Sequence, residues 1–154
     1  MTVDAAEVRT GEQLAELPSL CDAGLVFIGR IETPWVLRAD CPRRGDDDNG
    51  PDCRLVLDPR WQPALKGLAV GDALQILYWM DRARRDLVTQ SPRNDGQTLG
   101  TFSIRSPCRP NPIASSVARL IAIDGHCLVV RGLDCVSGTP LLDIKPHAAK
   151  GNKA

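Results

Sequence analysis

The chain has 154 residues, 43% hydrophobic and 25% charged, a make-up that suits one globular domain able to bury a core without disulfide or metal staples. Nineteen lysines and arginines balance nineteen aspartates and glutamates, which excludes gripping a polyanion by bulk charge. No apolar run approaches the roughly 20 residues of a membrane-spanning helix, and residues 1–18 carry acids but no apolar signal stretch, so a cytoplasmic protein is expected.

Residues 1–22 are polar and read as an N-terminal extension, with a short helix expected over Glu12–Leu17 that stops at Pro18. From there the apolar residues fall in short runs rich in Val, Ile and Leu, separated by Gly, Pro and Asp. The expected strands are 25–32, 53–57, 73–79, 99–104, 115–123, 127–132 and 141–144. Trp61–Leu68 alone predicts a helical turn between strands. Asp124-Gly125 lies between two runs and predicts a hairpin over 115–132 with a type I′ turn. No strand is followed by a helix of 10–15 residues, so a doubly wound parallel sheet is disfavoured. The expected fold is all-β, a small antiparallel barrel with long loops and little helix, over 23–147, followed by a loose tail at 148–154.

Residues 33–52 and 81–98 lack a strand pattern, and loops of that length in a compact domain are usually functional or disordered. Asp46-Asp47-Asp48 reads as a solvated loop tip, because adjacent carboxylates on an extended chain diverge. The six cysteines, Cys21, Cys41, Cys53, Cys108, Cys127 and Cys135, form no C-x-x-C pair, and only His126 and His147 could add imidazole ligands. Reduced thiols and no metal site are therefore expected. The neutral total hides an asymmetry. Residues 82–119 hold seven arginines and two aspartates, net +5, while residues 1–81 carry net −6. Arginine suits forked contacts with phosphate or carboxylate.

Two segments concentrate the chemistry. In Gly100-Thr-Phe-Ser-Ile-Arg-Ser-Pro-Cys-Arg-Pro-Asn-Pro-Ile113, three prolines set the backbone dihedrals and would hold Arg105, Arg109 and Asn111 in set directions. In Gly132-Leu-Asp-Cys-Val-Ser-Gly-Thr-Pro-Leu-Leu-Asp-Ile-Lys-Pro146, Ser137–Pro140 is a turn in which a glycine admits close approach of a ligand to the backbone. Asp143 and Lys145 share one strand face beyond it, as a functional pair or as a surface ion pair. Trp35, Tyr78 and Trp79 suit either base stacking or the core.

GTFSIRSPCRPNPIASSVARL followed by GLDCVSGTPLLDIKP closely resembles the two signature blocks of the TsaA-like family, and the resemblance covers residues 25–146. It implies a small β-barrel methyltransferase that uses S-adenosylmethionine, a tRNA substrate methylated on N6 of threonylcarbamoyladenosine beside the anticodon, and a homodimer. Carried onto this chain, the cofactor-binding positions are Pro42, Arg43, Arg44, Asp81, Arg82, Arg105, Val117, Ser137, Gly138, Thr139 and Pro140. Arg109, Asn111 and Lys145 would contact substrate. Asp143 and His147 are the candidates for accepting the proton of the poorly nucleophilic N6. The chain departs from the family at Arg44 (Gln in the family), Asp81-Arg82 (His-Gln), Ser137 (Asp) and His147 (Tyr). Two alternatives stay open: a cofactor-binding module with lost or changed activity, and a methyltransferase acting on a small molecule.

Overall fold

The Val-, Ile- and Leu-rich runs become strands in the computed structural model, which describes residues 7–147. They are β1 (Gln13–Leu14), β2 (Gly29–Glu32), β3 (Cys53–Leu57), β4 (Ala73–Trp79), β5 (Leu87–Gln90), β6 (Leu99–Gly100), β7 (Ile113–Asp124), β8 (Cys127–Arg131) and β9 (Thr139–Pro146). Helix is confined to three short 3₁₀ turns, the longest Pro59–Leu65, where the expected turn at 61–68 begins two residues earlier because Asp58 caps it. The chain separates into two compact units. One combines residues up to Gly24 with Met80–Ala114; the other combines Leu25–Trp79 with the residues from Ser115 on.

The larger unit is the barrel. Six strands close in the order β2-β3-β8-β7-β4-β9, so β2 pairs with both β3 and β9 and no edge is left open. Alternation fills it: Leu74, Ile76 and Tyr78 of β4, Leu55 and Leu57 of β3, Leu120 of β7 and Leu128 and Val130 of β8 are all buried. The 124–125 hairpin forms, with one difference. Asp124 pairs with Cys127, so the two turn residues are Gly125 and His126, and only Gly125 has positive φ (+59°). A single positive φ at the first turn position is the type II′ pattern, not I′.

Strand ends depart from the pattern where hydrogen bonding overrides it. β2 starts at Gly29, not Leu25, and leaves Leu25, Val26 and Phe27 exposed. A Cβ on Gly29 would meet the Val56 carbonyl at 2.2 Å, so the close strand approach requires glycine there. β7 and β9 each run beyond the expected limits at both ends.

In the smaller unit, β1, β5 and β6 form a three-stranded sheet. The expected helix at 12–17 is absent; β1 pairs with β5 instead. Six residues are too few to sustain a helix alone, and the Glu12 carboxylate accepts the backbone N–H groups of Arg9 and Ser91, which holds the segment extended. β5 falls inside the stretch that shows no strand pattern, because one of its inward residues is Gln90, a polar residue 6% exposed. The Gln90 amide donates to Thr101 Oγ1 (2.9 Å) and to the Cys108 carbonyl (2.6 Å), and the Thr101 hydroxyl donates to the Leu87 carbonyl (2.7 Å). That knot turns the chain into a 3₁₀ turn at Thr101–Ser103, so β6 stops at Gly100 short of the expected 104.

Candidate functional site

In the barrel unit, three sequence-distant segments meet. A Cβ on Gly45 would lie 1.8 Å from the Gly132 carbonyl oxygen, and one on Gly132 would lie 2.6 Å from the Val117 carbonyl and 3.1 Å from Asp47 Cβ. The loop holding Pro42, Arg43 and Arg44, the strand at Val117 and the segment 132–140 therefore pack backbone against backbone. Gly132 also has φ +116°. Gly132→Ala is expected to lower stability by about 1–3 kcal/mol through the strained backbone, with more from the clash. Gly24→Ala, with open space around it, should unfold like wild type in a urea titration.

The Ser137–Pro140 turn is tied to the start of the first long loop. Ser137 N–H donates to the Trp35 carbonyl and Gly138 N–H to the Ile31 carbonyl, both at 2.7 Å. Thr33 links the two as well: its hydroxyl donates to the Cys135 carbonyl (2.8 Å), and its N–H donates to Ser137 Oγ (3.3 Å). Where the family carries an acid, Ser137 thus supplies a neutral oxygen already engaged in holding the turn. Pro42, Arg43, Arg44, Val117 and Gly138 are all exposed around it.

One group of three residues at this place is absent from the sequence reading. Tyr78, 2% exposed on β4, donates its hydroxyl proton to Asp134 Oδ1 at 2.8 Å and lies 2.8 Å from Ser116 Oγ. A phenol has one proton, so Ser116 is the donor to Tyr78. Burial pushes the Tyr78 ionisation up, so it remains a phenol donor. The thiol of Cys41, the residue preceding Pro42, is raised by burial and then by the Asp134 charge. A buried tyrosine needs a partner for its hydroxyl, and the Asp inside the second signature block was the available signal.

The remaining barrel residues lie elsewhere. Asp143 and Lys145 pair across 2.6 Å on the outer face of β9, opposite Leu77 and Gln75 of β4. Asp143 Oδ1 also accepts the Ile144 N–H (2.9 Å). The surface ion-pair alternative is the observed one. A β-bulge between Leu77 and Tyr78 turns this face outward. His147 sits past the far end of β9, its N–H donating to the Ala73 carbonyl. Eight strand residues, roughly 25 Å, separate it from Thr139, so the fold does not bring His147 to the turn within one barrel.

In the smaller unit, the proline-stiffened loop is cross-braced. Arg109 Nη1 donates to the Ile104 and Ser106 carbonyls at 3.2 Å each. Arg85 Nε donates to the Pro110 carbonyl (2.6 Å) and its Nη2 reaches Asn111 Oδ1 (3.4 Å). Arg109 thus spends donors on closing its own loop. Asp81, Arg82, Arg93, Phe102, Arg105 and Asn111 are exposed, Phe102 at 82%. Arg84 pairs with Asp86 at 2.7 Å, and in the barrel unit Arg119 pairs with Asp48 at 2.6 Å. Asp86 is already counted in the formal +5, so of these two pairings only that of Arg119 lowers it, because Asp48 lies outside 82–119.

Asp46 is exposed and organises its turn: its Oδ1 accepts the N–H groups of Asn49 and Asp48, which holds its carboxyl below the usual range. All six cysteines are free thiols, and burial pushes Cys53 up to about 11 and Cys135 to about 12.

The fold is a closed antiparallel barrel with loops packed backbone against backbone, not a doubly wound sheet. Residues 30–152 match the tRNA-methyltransferase O N-terminal domain, and the chain belongs to that family. It is 48% identical over 142 residues to a protein of Rhizobium radiobacter named as a probable S-adenosyl-L-methionine-binding protein, VirR, covering 92% of this chain and 81% of that one. It is 46% identical over 61 residues to the human tRNA (adenine(37)-N6)-methyltransferase, covering 40% of this chain and 14% of the human one. The crystal structure of TrmO from P. aeruginosa superposes with a TM-score of 0.70 at 29% identity, over 88% of this chain and 59% of that one. The chain therefore spans about three-fifths of the solved relative's length.

Proposed function

We propose that the protein methylates N6 of threonylcarbamoyladenosine next to the anticodon of tRNA, as a cytoplasmic homodimer. The observation that carries the cofactor half of this reading is the convergence of the 42–47 loop, Val117 and the 132–140 segment at backbone contact. A flat, polar cofactor approached through main-chain groups needs such glycine-rich junctions. The residue types fit the group. Pro42–Arg44 and Ser137–Pro140 offer backbone donors and acceptors, Arg43 and Arg44 offer positive charge for a carboxylate, and Asp134 offers negative charge.

When bound, S-adenosylmethionine supplies a methyl carbon activated on a sulfonium. The chain's task is then positioning: holding the acceptor nitrogen in line with that carbon, which can account for most of the acceleration. Arg105 is assigned to the cofactor, and Arg109 and Asn111 on the same stiffened loop to the tRNA, with Arg109 contributing the donors its loop leaves unused. Lys145 is assigned to substrate as well. Asp143 and His147 are assigned to the N6 proton; the Asp143–Lys145 pair must open for that, and His147 must come from the partner of the dimer. The small-molecule alternative is favoured by the pairing of Arg119 with Asp48, which takes one positive charge from the Arg-rich segment.

Calorimetry tests the cofactor half. The purified protein is expected to release heat on binding S-adenosylmethionine and to melt at higher temperature with it. No heat and no thermal shift at millimolar cofactor would contradict the reading.

A further inference from the structure

We infer that Asp134, held by the Ser116–Tyr78 hydroxyl chain, is the anionic anchor for the positive charge of S-adenosylmethionine. The inference rests on the cofactor reading above. Asp134 is half-buried, yet among the described residues no lysine, arginine or histidine forms an ion pair with it. Elsewhere among the described residues, exposed or rim carboxylates are paired with arginines: Glu32, Asp47, Asp48, Asp52, Asp58 and Asp86 all have one. A carboxylate partly removed from water requires compensation. Asp134 receives it from a buried phenol, which is in turn fed by Ser116, and both hydroxyl protons point along one chain toward the carboxylate. Such a chain fixes the carboxylate's direction and leaves its remaining lone pairs for an outside donor.

The position is right for that donor. Asp134 lies two residues from Gly132, the junction of the 42–47 loop and Val117, and its charge reaches Cys41 beside Pro42. It is the one acid in 132–140, since position 137 is serine. S-adenosylmethionine carries two cationic groups, the sulfonium and the amino-acid ammonium, and either matches a fixed carboxylate. S-adenosylhomocysteine keeps the ammonium and lacks the sulfonium charge, so the pair of ligands separates the two.

Asp134→Asn keeps the shape and a carbonyl oxygen to accept from Tyr78, but removes the charge. It is expected to weaken S-adenosylmethionine at least tenfold in calorimetry while melting near the wild-type temperature. An equal loss for S-adenosylhomocysteine assigns the contact to the ammonium; a loss confined to S-adenosylmethionine assigns it to the sulfonium. Tyr78→Phe, which only releases the carboxylate's direction, is expected to lose less affinity but with the same ligand preference as Asp134→Asn. A merely structural tyrosine would weaken both ligands without that matching preference. A folded Asp134→Asn protein that binds both ligands as wild type does would overturn the assignment. Wild-type protein that binds neither ligand would overturn the cofactor reading itself, and the assignment with it.

Discussion

Replacing Arg105 by alanine is expected to weaken S-adenosylmethionine binding at least tenfold, about 1.4 kcal/mol, while Cys108→Ser binds like wild type. Both residues lie in the same proline-stiffened loop, so the pair separates function from architecture. Arg105 is exposed and carries a positive fork at a position that the resemblance assigns to the cofactor. Cys108 contributes its backbone: its carbonyl accepts from Gln90 at 2.6 Å, and a serine keeps that carbonyl in place. Comparable losses from both substitutions would mean that the loop serves only to hold the unit together. Fluorescence or calorimetric titration of the two variants against wild type reads the difference.

Affinity for tRNA should fall steeply with salt, with a log–log slope of roughly −2 to −3 for three engaged arginines. The structure narrows the choice. Arg84 is 13% exposed and bonded to Asp86, Arg119 is bonded to Asp48, and Arg85 and Arg109 donate to carbonyls of the stiffened loop. Arg82 and Arg93 are exposed arginines of the segment outside those bonds. Arg82→Ala with Arg93→Ala should flatten the slope by about 2 and leave the melting temperature unchanged. Arg84→Ala should lower thermal stability instead, because Asp86 loses its partner in a half-buried pair. Filter binding across a salt series distinguishes the two. A wild-type protein with no salt-dependent tRNA binding near physiological ionic strength would favour the small-molecule acceptor.

Much of the barrel was legible in the sequence because its strands obey a period of two. β3 and β4 coincide with the expected 53–57 and 73–79, since Cys53, Leu55 and Leu57, and Leu74, Ile76 and Tyr78, alternate without interruption. The sheet of β1, β5 and β6 was not legible. Its inward positions include Gln90, whose burial depends on Thr101 and Cys108, residues that no local pattern connects to it. The candidate site was legible by resemblance wherever a motif marks it, as at Pro42–Arg44 and Ser137–Pro140. What escaped was the Tyr78–Ser116–Asp134 chain, which spans 56 residues of sequence and exists only once the barrel brings β4, β7 and the segment after β8 together. Periodicity marks Tyr78 as core, and it is core. Its hydroxyl partners are set by tertiary structure alone.

Methyl transfer to the modified adenosine beside the anticodon has a direct test. Purified protein, S-adenosylmethionine and tRNA carrying threonylcarbamoyladenosine are combined, the tRNA is digested, and its nucleosides are resolved by mass spectrometry. Threonylcarbamoyladenosine is expected to gain the mass of one methylene, and tRNA lacking the threonylcarbamoyl group to stay unmodified. Unchanged nucleosides from a protein that demonstrably binds S-adenosylmethionine would contradict it.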